Sequence, residues 1–105
     1  MHIDILYTPD CTGWQTADSL LRQALADLGI EADIDYWLIE SDRQAVETGF
    51  IGSPTIRVEG NDLFPVEGVP AGMKLRSYFT EEGMLDYPTY SMLVDALQRV
   101  AGAHP

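Results

Sequence analysis

Apolar and polar positions along the first 40 residues change period three times. Ile3, Ile5, Leu6 and Tyr7 crowd together in a run from His2 to Thr8, dense enough for a strand covered on both faces. Asp4 interrupts that cover; it requires either an open end of the sheet or a polar partner. Pro9 and Asp10 break the strand. Trp14, Ala17, Leu21, Ala24, Leu25 and Leu28 then recur at helical spacing, so one stripe of a long helix faces a core. Thr12 or Asp10 is placed to cap that helix, and Gly29 to end it. Ala32, Ile34, Tyr36 and Leu38 alternate with Asp33 and Asp35, the period of a second strand, which becomes continuously apolar from Tyr36 to Ile39.

The second half is shorter in its periods. Ser41 and Gln44 form a capping box ahead of a helix from Asp42 to Thr48, closed by Gly49. Thr55 to Glu59 is β-branched at Thr55, Ile56 and Val58 and predicts a third strand. Gly60-Asn61-Asp62 is a turn signal. Gly60 to Met73, with Pro65, Gly68, Pro70 and Gly72, is too long for a tight hairpin; it is either an ordered loop beside a site or a surface excursion. Lys74 to Phe79 is expected as the fourth strand, with Glu81-Glu82-Gly83 turning the chain. After Pro88, Leu93, Ala96, Leu97 and Val100 make the stripe of a last helix stopped by Gly102, leaving His104-Pro105 as a frayed end. The order is β-α-β-α-β-β-α: an α/β fold in one domain spanning residues 1–105, with a four-stranded mixed sheet and helices on both faces. The first β-α-β unit predicts a right-handed crossover between parallel strands, and strands three and four an antiparallel pair.

Composition narrows the functions available. Seventeen acidic residues against six basic give a net charge of −11, which repels nucleic acid and anionic membranes. No apolar stretch reaches the roughly 18–20 residues of a membrane span, and the first strand begins too early for a secretory leader. These features lead us to expect a cytoplasmic protein. A single cysteine, Cys11, excludes an intramolecular disulfide and a cysteine-rich zinc site. His2 and His104 stand near opposite ends and are expected as solvated terminal residues, so no metal or other cofactor is expected. Met73, Met84 and Met92 are expected to fill gaps in packing.

Cys11 lies where the first strand gives way to the first helix, within Cys11-Thr12-Gly13-Trp14. A thiolate is the reactive form of cysteine. Unpaired N–H groups at a helix start favour it by about 0.3–1 kcal/mol at an exposed site, while the neighbouring Asp10 opposes it. No Lys, Arg or His adjoins Cys11 in sequence, although Arg57 and Arg76 could approach from later strands. The bland alternative is a small buried hydrophobe. Trp14 is expected chiefly to pack at the helix start.

With Cys11 after the first strand and Gly49-Phe50-Ile51-Gly52-Ser53-Pro54-Thr55 before the third, the chain resembles the thioredoxin superfamily over nearly its whole length. It is similar to small bacterial thioredoxin-like proteins with a Cys-x-x-Trp opening, some described as alkylmercury-lyase-like. The resemblance implies a minimal thioredoxin fold, a nucleophilic Cys11 and a cis peptide bond before Pro54 facing it. It also implies Thr12, Gly13, Trp14, Ser53 and Pro54 around the substrate, with Thr12 and Gly13 offering backbone N–H groups. Ser53 and Pro54 would offer backbone to an added strand. The chain departs from the family's Cys-x-x-Cys, because Trp14 occupies the second position. Leu75 occupies another place where related proteins can carry cysteine, so a dithiol cycle lacks its resolving thiol.

Three functions compete. In the first, Cys11 is the single thiol of a redox or thiol-exchange protein whose partner is a small thiol or a protein disulfide. The second is a redox-inert binding module, with Tyr7, Trp14, Phe64 and Tyr78 as an aromatic patch. The third and least favoured is an arsenate-reductase-like enzyme using Arg57 and Arg76. Alkylmercury lysis needs paired cysteines and does not carry over to this chain. Sequence leaves the oligomeric state open.

Overall fold

A computed structural model describes residues 1–102; the expected frayed end His104-Pro105 lies outside the described residues. Strand β1, His2–Tyr7, forms the middle of the sheet. Helix α1, Gly13–Leu28, follows it and ends at Gly29, whose φ of 67° is the left-handed conformation a C-terminal cap uses. Strand β2, Asp33–Leu38, returns parallel to β1 with Asp4 beside Asp35 and Leu6 beside Trp37. Helix α2, Asp42–Thr48, begins at Ser41, whose Oγ accepts the Gln44 N–H at 3.1 Å. Gln44 Oε1 accepts the Glu40 N–H rather than the Ser41 N–H, so the expected box closes one residue early.

Strand β3, Thr55–Val58, runs antiparallel to β1, and β4, Asn61–Asp62, runs antiparallel to β3. The sheet order is β2-β1-β3-β4, four strands in a mixed sheet. Glu59 (φ 51°) and Gly60 (φ 84°) make the two-residue turn between β3 and β4, so the turn falls one residue earlier than the sequence signal. Strands β5, Tyr78–Thr80, and β6, Gly83–Leu85, form a separate hairpin, and α3, Tyr90–Gly102, closes the described chain.

The fourth strand is therefore Asn61–Asp62, not Lys74–Phe79. Residues Lys74 to Arg76 instead run beside Ser53, joined by a single parallel bridge between Ser53 and Leu75. The physical reason is an inverted pattern. Arg76 and Tyr78 are buried, whereas Leu75 and Phe79 are 58% and 83% exposed. A stretch that turns its arginine inward needs a buried acceptor, and Asp62 supplies one: its Oδ2 lies 2.8 Å from Arg76 Nη1.

Two cores divide the molecule across the sheet. Ile3 and Ile5 of β1 join Ile56 and Val58 of β3 with Ala17, Leu21, Ala24 and Leu25 of α1 and Leu93 and Leu97 of α3. Leu6 points to the opposite face and packs with Ile39, Phe50 and Ala45 of α2. Helices thus cover both faces, α1 and α3 on one and the short α2 on the other. Because α2 covers only the Leu6 end, the His2–Asp4 end of its face is left open. No helix among the described residues is long and apolar enough to cross a membrane.

The loop after β4 is ordered by named bonds. Gly72 N–H donates to the Phe50 carbonyl at 3.0 Å, and Met73 N–H donates to Asp42 Oδ1 at 2.9 Å. These bonds fix the end of the segment, while residues 65–70 lie exposed on the surface.

Candidate functional site around Cys11

Cys11 sits in the turn between β1 and α1, two residues before the first residue of the helix. Its N–H donates to the Thr8 carbonyl at 3.2 Å. Thr8 N–H in turn donates to Ser53 Oγ at 3.0 Å, which fastens the Ser53–Pro54 segment against the Thr8–Cys11 turn. The Ser53–Pro54 peptide bond is cis, as the resemblance implies. The Pro54 carbonyl accepts a hydrogen bond of 2.5 Å from the Tyr78 hydroxyl. Cys11 itself is buried, only 7% exposed.

Tyr78, one of the aromatic-patch residues, is 3% exposed, and its hydroxyl anchors the Pro54 carbonyl inside the protein. Burial holds its ionisation well above the ordinary tyrosine range. The Arg76 guanidinium opposes this, while negative charge on Asp62 or Cys11 adds to it. The Cys11 sulfur and the Tyr78 hydroxyl are thus electrostatic neighbours. Arg76 stacks over the Tyr78 ring, 4.6 Å from its centroid, and also donates to the Phe64 carbonyl. Its charge is already committed to Asp62, so it presents no free guanidinium to an oxyanion.

The backbone of Ser53 is also committed. Ser53 N–H donates to the Lys74 carbonyl and the Ser53 carbonyl accepts from Arg76 N–H, both at 2.9 Å. Residues 74–76 therefore occupy the edge at which an added strand would bond to Ser53. Gly52 permits the approach: a Cβ there would lie 2.8 Å from Arg76 Cβ, at a φ of 145° that side chains rarely adopt.

The start of α1 differs from its expected cap. Thr12 takes the cap position but its side chain makes no capping bond; Thr12 Oγ1 donates to Asp86 Oδ2 at 3.2 Å. Gly13 is buried because the Asp86 carbonyl lies against it; a Cβ on Gly13 would come within 2.2 Å of that oxygen. Asp86, which sequence reasoning missed, thus packs on the site from the segment after β6. Only a near neighbour to Gly13 and Thr12 in space, not in sequence, could have revealed it.

Trp14 stacks on Tyr7, with ring centroids 4.3 Å apart, and meets Tyr36 edge-on at 6.0 Å. Phe64 and Tyr78 form a second, edge-to-face pair at 5.6 Å. The expected aromatic patch is divided into these two pairs. Arg57 lies elsewhere: its Nη2 donates to the Thr48 carbonyl at 2.8 Å, on the α2 face. The two arginines do not converge on Cys11. The Thr8 hydroxyl is buried without a hydrogen-bond partner, one turn ahead of Cys11.

Among the described residues, His2, Asp4 and Asp35 bring one potential ligand atom each within 4.8 Å of the others, and Cys11 is not part of that group. His2, expected as a solvated terminal residue, keeps a side chain 43% exposed, but it lies on β1 with Nε2 3.0 Å from Asp4 Oδ1.

Compared with protein-family models, with curated proteins and with solved structures, the chain gives no match.

Proposed function

We propose that this is a thioredoxin-fold protein acting through one thiol, with Cys11 exchanging with a small disulfide or a protein disulfide. The observation that carries the reading is the bond from Thr8 N–H to Ser53 Oγ, which holds the cysteine turn and the Ser53–Pro54 segment against each other. The strand order β2-β1-β3-β4, parallel on one side of β1 and antiparallel on the other, supports the fold assignment.

In the reaction, the Cys11 thiolate attacks one sulfur of the disulfide. The S–S bond breaks, a mixed disulfide with Cys11 forms, and the second sulfur leaves as a thiolate that takes up a proton. The chain contains no second cysteine, so an external thiolate must attack the mixed disulfide and release Cys11. The protein contributes the position and burial of Cys11; the second thiol comes from solution.

The test is the reaction of reduced protein with an aromatic disulfide probe at neutral pH. Reaction faster than that of the same chain unfolded in urea, and abolished in Cys11→Ser, is expected. Labelling no faster than the unfolded chain sinks the proposal.

A second reading, a redox-inert binding module, draws on a separate observation. Ile51, Val66, Val69 and Leu75 line a cleft of 190 Å³ together with Lys74 and Arg76, beside the segment that closes the Ser53 edge. A partner that binds Cys11→Ser with unchanged affinity favours this reading over the first.

A further inference from the structure

Asp4 has no use in the thiol chemistry, and its position needs explaining. It sits in the middle of β1, the strand flanked on both sides, with its carboxylate only 17% exposed. Its register neighbour on β2 is Asp35, another carboxylate. Like charges directly opposite one another destabilise a sheet. On β3 the register neighbour is Arg57, but that guanidinium is turned to the Thr48 carbonyl, and no ion pair among the described residues joins it to Asp4. What Asp4 and Asp35 do share is His2. Its Nε2 lies 3.0 Å from Asp4 Oδ1 and 3.6 Å from Asp35 Oδ2.

We propose that His2, Asp4 and Asp35 bind a divalent cation of the zinc class. One atom from each, the imidazole Nε2 and two carboxylate oxygens, lies within 4.8 Å of the others. A zinc ion at about 2.0–2.2 Å from nitrogen and oxygen ligands draws such atoms to roughly 3–4 Å apart. Both His2 distances already fall in that range, and the separation of the two carboxylate oxygens is at most 4.8 Å. His2 and Asp4 stand two residues apart on one strand and Asp35 on its registered neighbour, so the three face one way from rigid backbone. Trp37 Nε1 donates to Asp4 Oδ1 at 2.8 Å and orients that carboxylate from outside the ligand set.

The imidazole distinguishes this group from an ordinary acidic surface. One nitrogen with two carboxylates suits zinc, nickel or cobalt; magnesium and calcium prefer all-oxygen sites. Three protein ligands leave coordination positions to water. Two further carboxylates stand near: Asp33 in register with His2, and Glu59, whose Oε1 accepts the His2 N–H at 2.6 Å. Both favour a cation by charge, and Arg57 on β3 opposes it.

The experiment is calorimetric titration of the full chain with zinc chloride at neutral pH in a weakly chelating buffer, repeated with magnesium chloride. One zinc per chain is expected, bound at least about 10-fold more tightly than magnesium. His2→Ala and Asp35→Asn should each weaken zinc by about 10-fold or more, and Trp37→Phe by a smaller factor. Cys11→Ser should leave it unchanged. Asp35 is exposed, so Asp35→Asn keeps the test valid if His2→Ala disturbs β1. Three results overturn the proposal: no saturable binding below about 1 mM zinc, affinity unchanged in both ligand variants, or affinity lost in Cys11→Ser.

Discussion

Removing the charge of Asp62 should cost the fold far more than a surface ion pair would. The Arg76 side chain is 6% exposed and that of Asp62 18%, with 2.8 Å between Nη1 and Oδ2. Breaking a buried pair by removing one partner costs about 3–5 kcal/mol, because a charge is left without its counter-ion. Two features reduce that here. Asp62 retains some solvent, and Arg76 keeps the Phe64 carbonyl and the Tyr78 ring as partners. For Asp62→Asn we expect about 2–3 kcal/mol. The asparagine oxygen can still accept the Phe64 N–H that Asp62 Oδ1 accepts at 2.9 Å, so the variant isolates the charge. Asp62→Ala loses that bond as well and should cost about 1 kcal/mol more. At about 4–8 °C per kcal/mol for a domain of this size, Asp62→Asn lowers Tm by roughly 8–24 °C. The assay is urea unfolding followed by circular dichroism, read as a lower midpoint with an unchanged slope. A loss below about 1 kcal/mol, the range of an exposed pair, would refute the claim that Arg76 is held by a buried charge.

Two further perturbations probe the frame around Cys11. Gly13→Ala drives a Cβ to 2.2 Å from the Asp86 carbonyl, so the helix start or the Asp86 segment must shift; we expect a loss of about 2–3 kcal/mol in the same urea assay. A neutral Gly13→Ala would mean that the Asp86 segment is free to move. Alkaline pH tests Tyr78. Its ionisation is raised by burial in the folded chain, while an unfolded tyrosine ionises near pH 10. Its contribution to stability is therefore complete below about pH 10 and is lost as pH rises further, because the unfolded chain releases its proton first. Urea midpoints measured from about pH 8 to about pH 11 should fall, and less steeply in Tyr78→Phe. Tyr36, raised first by burial, and Tyr90, raised first by its bond to Asp27, act in the same direction, so the decline shrinks without vanishing.

The parts of the fold written in local pattern were legible in the sequence. The stripe from Ala17 to Leu25 buries as its spacing implies, and Gly29 and Gly49 both take the left-handed conformation that ends a helix. The β1-α1-β2 crossover follows from density and period alone. The edge of the sheet was not legible, because two distant choices decide it. A two-residue strand at Asn61–Asp62 has no period to detect, and its role depends on Arg76 fourteen residues later. A pattern that treats arginine as outward-facing reads Lys74–Phe79 with the wrong face inward. The same limit applies to the site. Cys11 stands out by its place between a strand and a helix, whereas Ser53 and Pro54 are singled out by the resemblance alone. The clasp of Asp86 on Gly13 and of Tyr78 on Pro54 joins residues 73 and 24 positions apart, with no local signal at either end.

The closed Ser53 edge sharpens what a thiol function requires. A substrate cannot pair with Ser53 while Lys74 and Arg76 hold both of its backbone groups, and Cys11 is 7% exposed. A disulfide must then reach the sulfur in one of two ways. It is small enough to reach a residue this buried, or the 74–76 segment lifts. Lifting breaks the two Ser53 bonds and strips Arg76 of its buried acceptors, a cost near that of removing the Asp62 charge plus two backbone bonds at about 1 kcal/mol each. An opening that costly is rarely populated, so a large protein disulfide would react slowly and a small one would not share the penalty. Under the proposed thiol function, the Asp62–Arg76 pair would set the order of the two rates, small disulfide over protein disulfide. Asp62→Asn, by weakening the pair, should raise the slower rate and leave the faster one in place. A redox-inert module has no such rate to raise, and for it the same closure is simply the wall of the Ile51–Leu75 cleft.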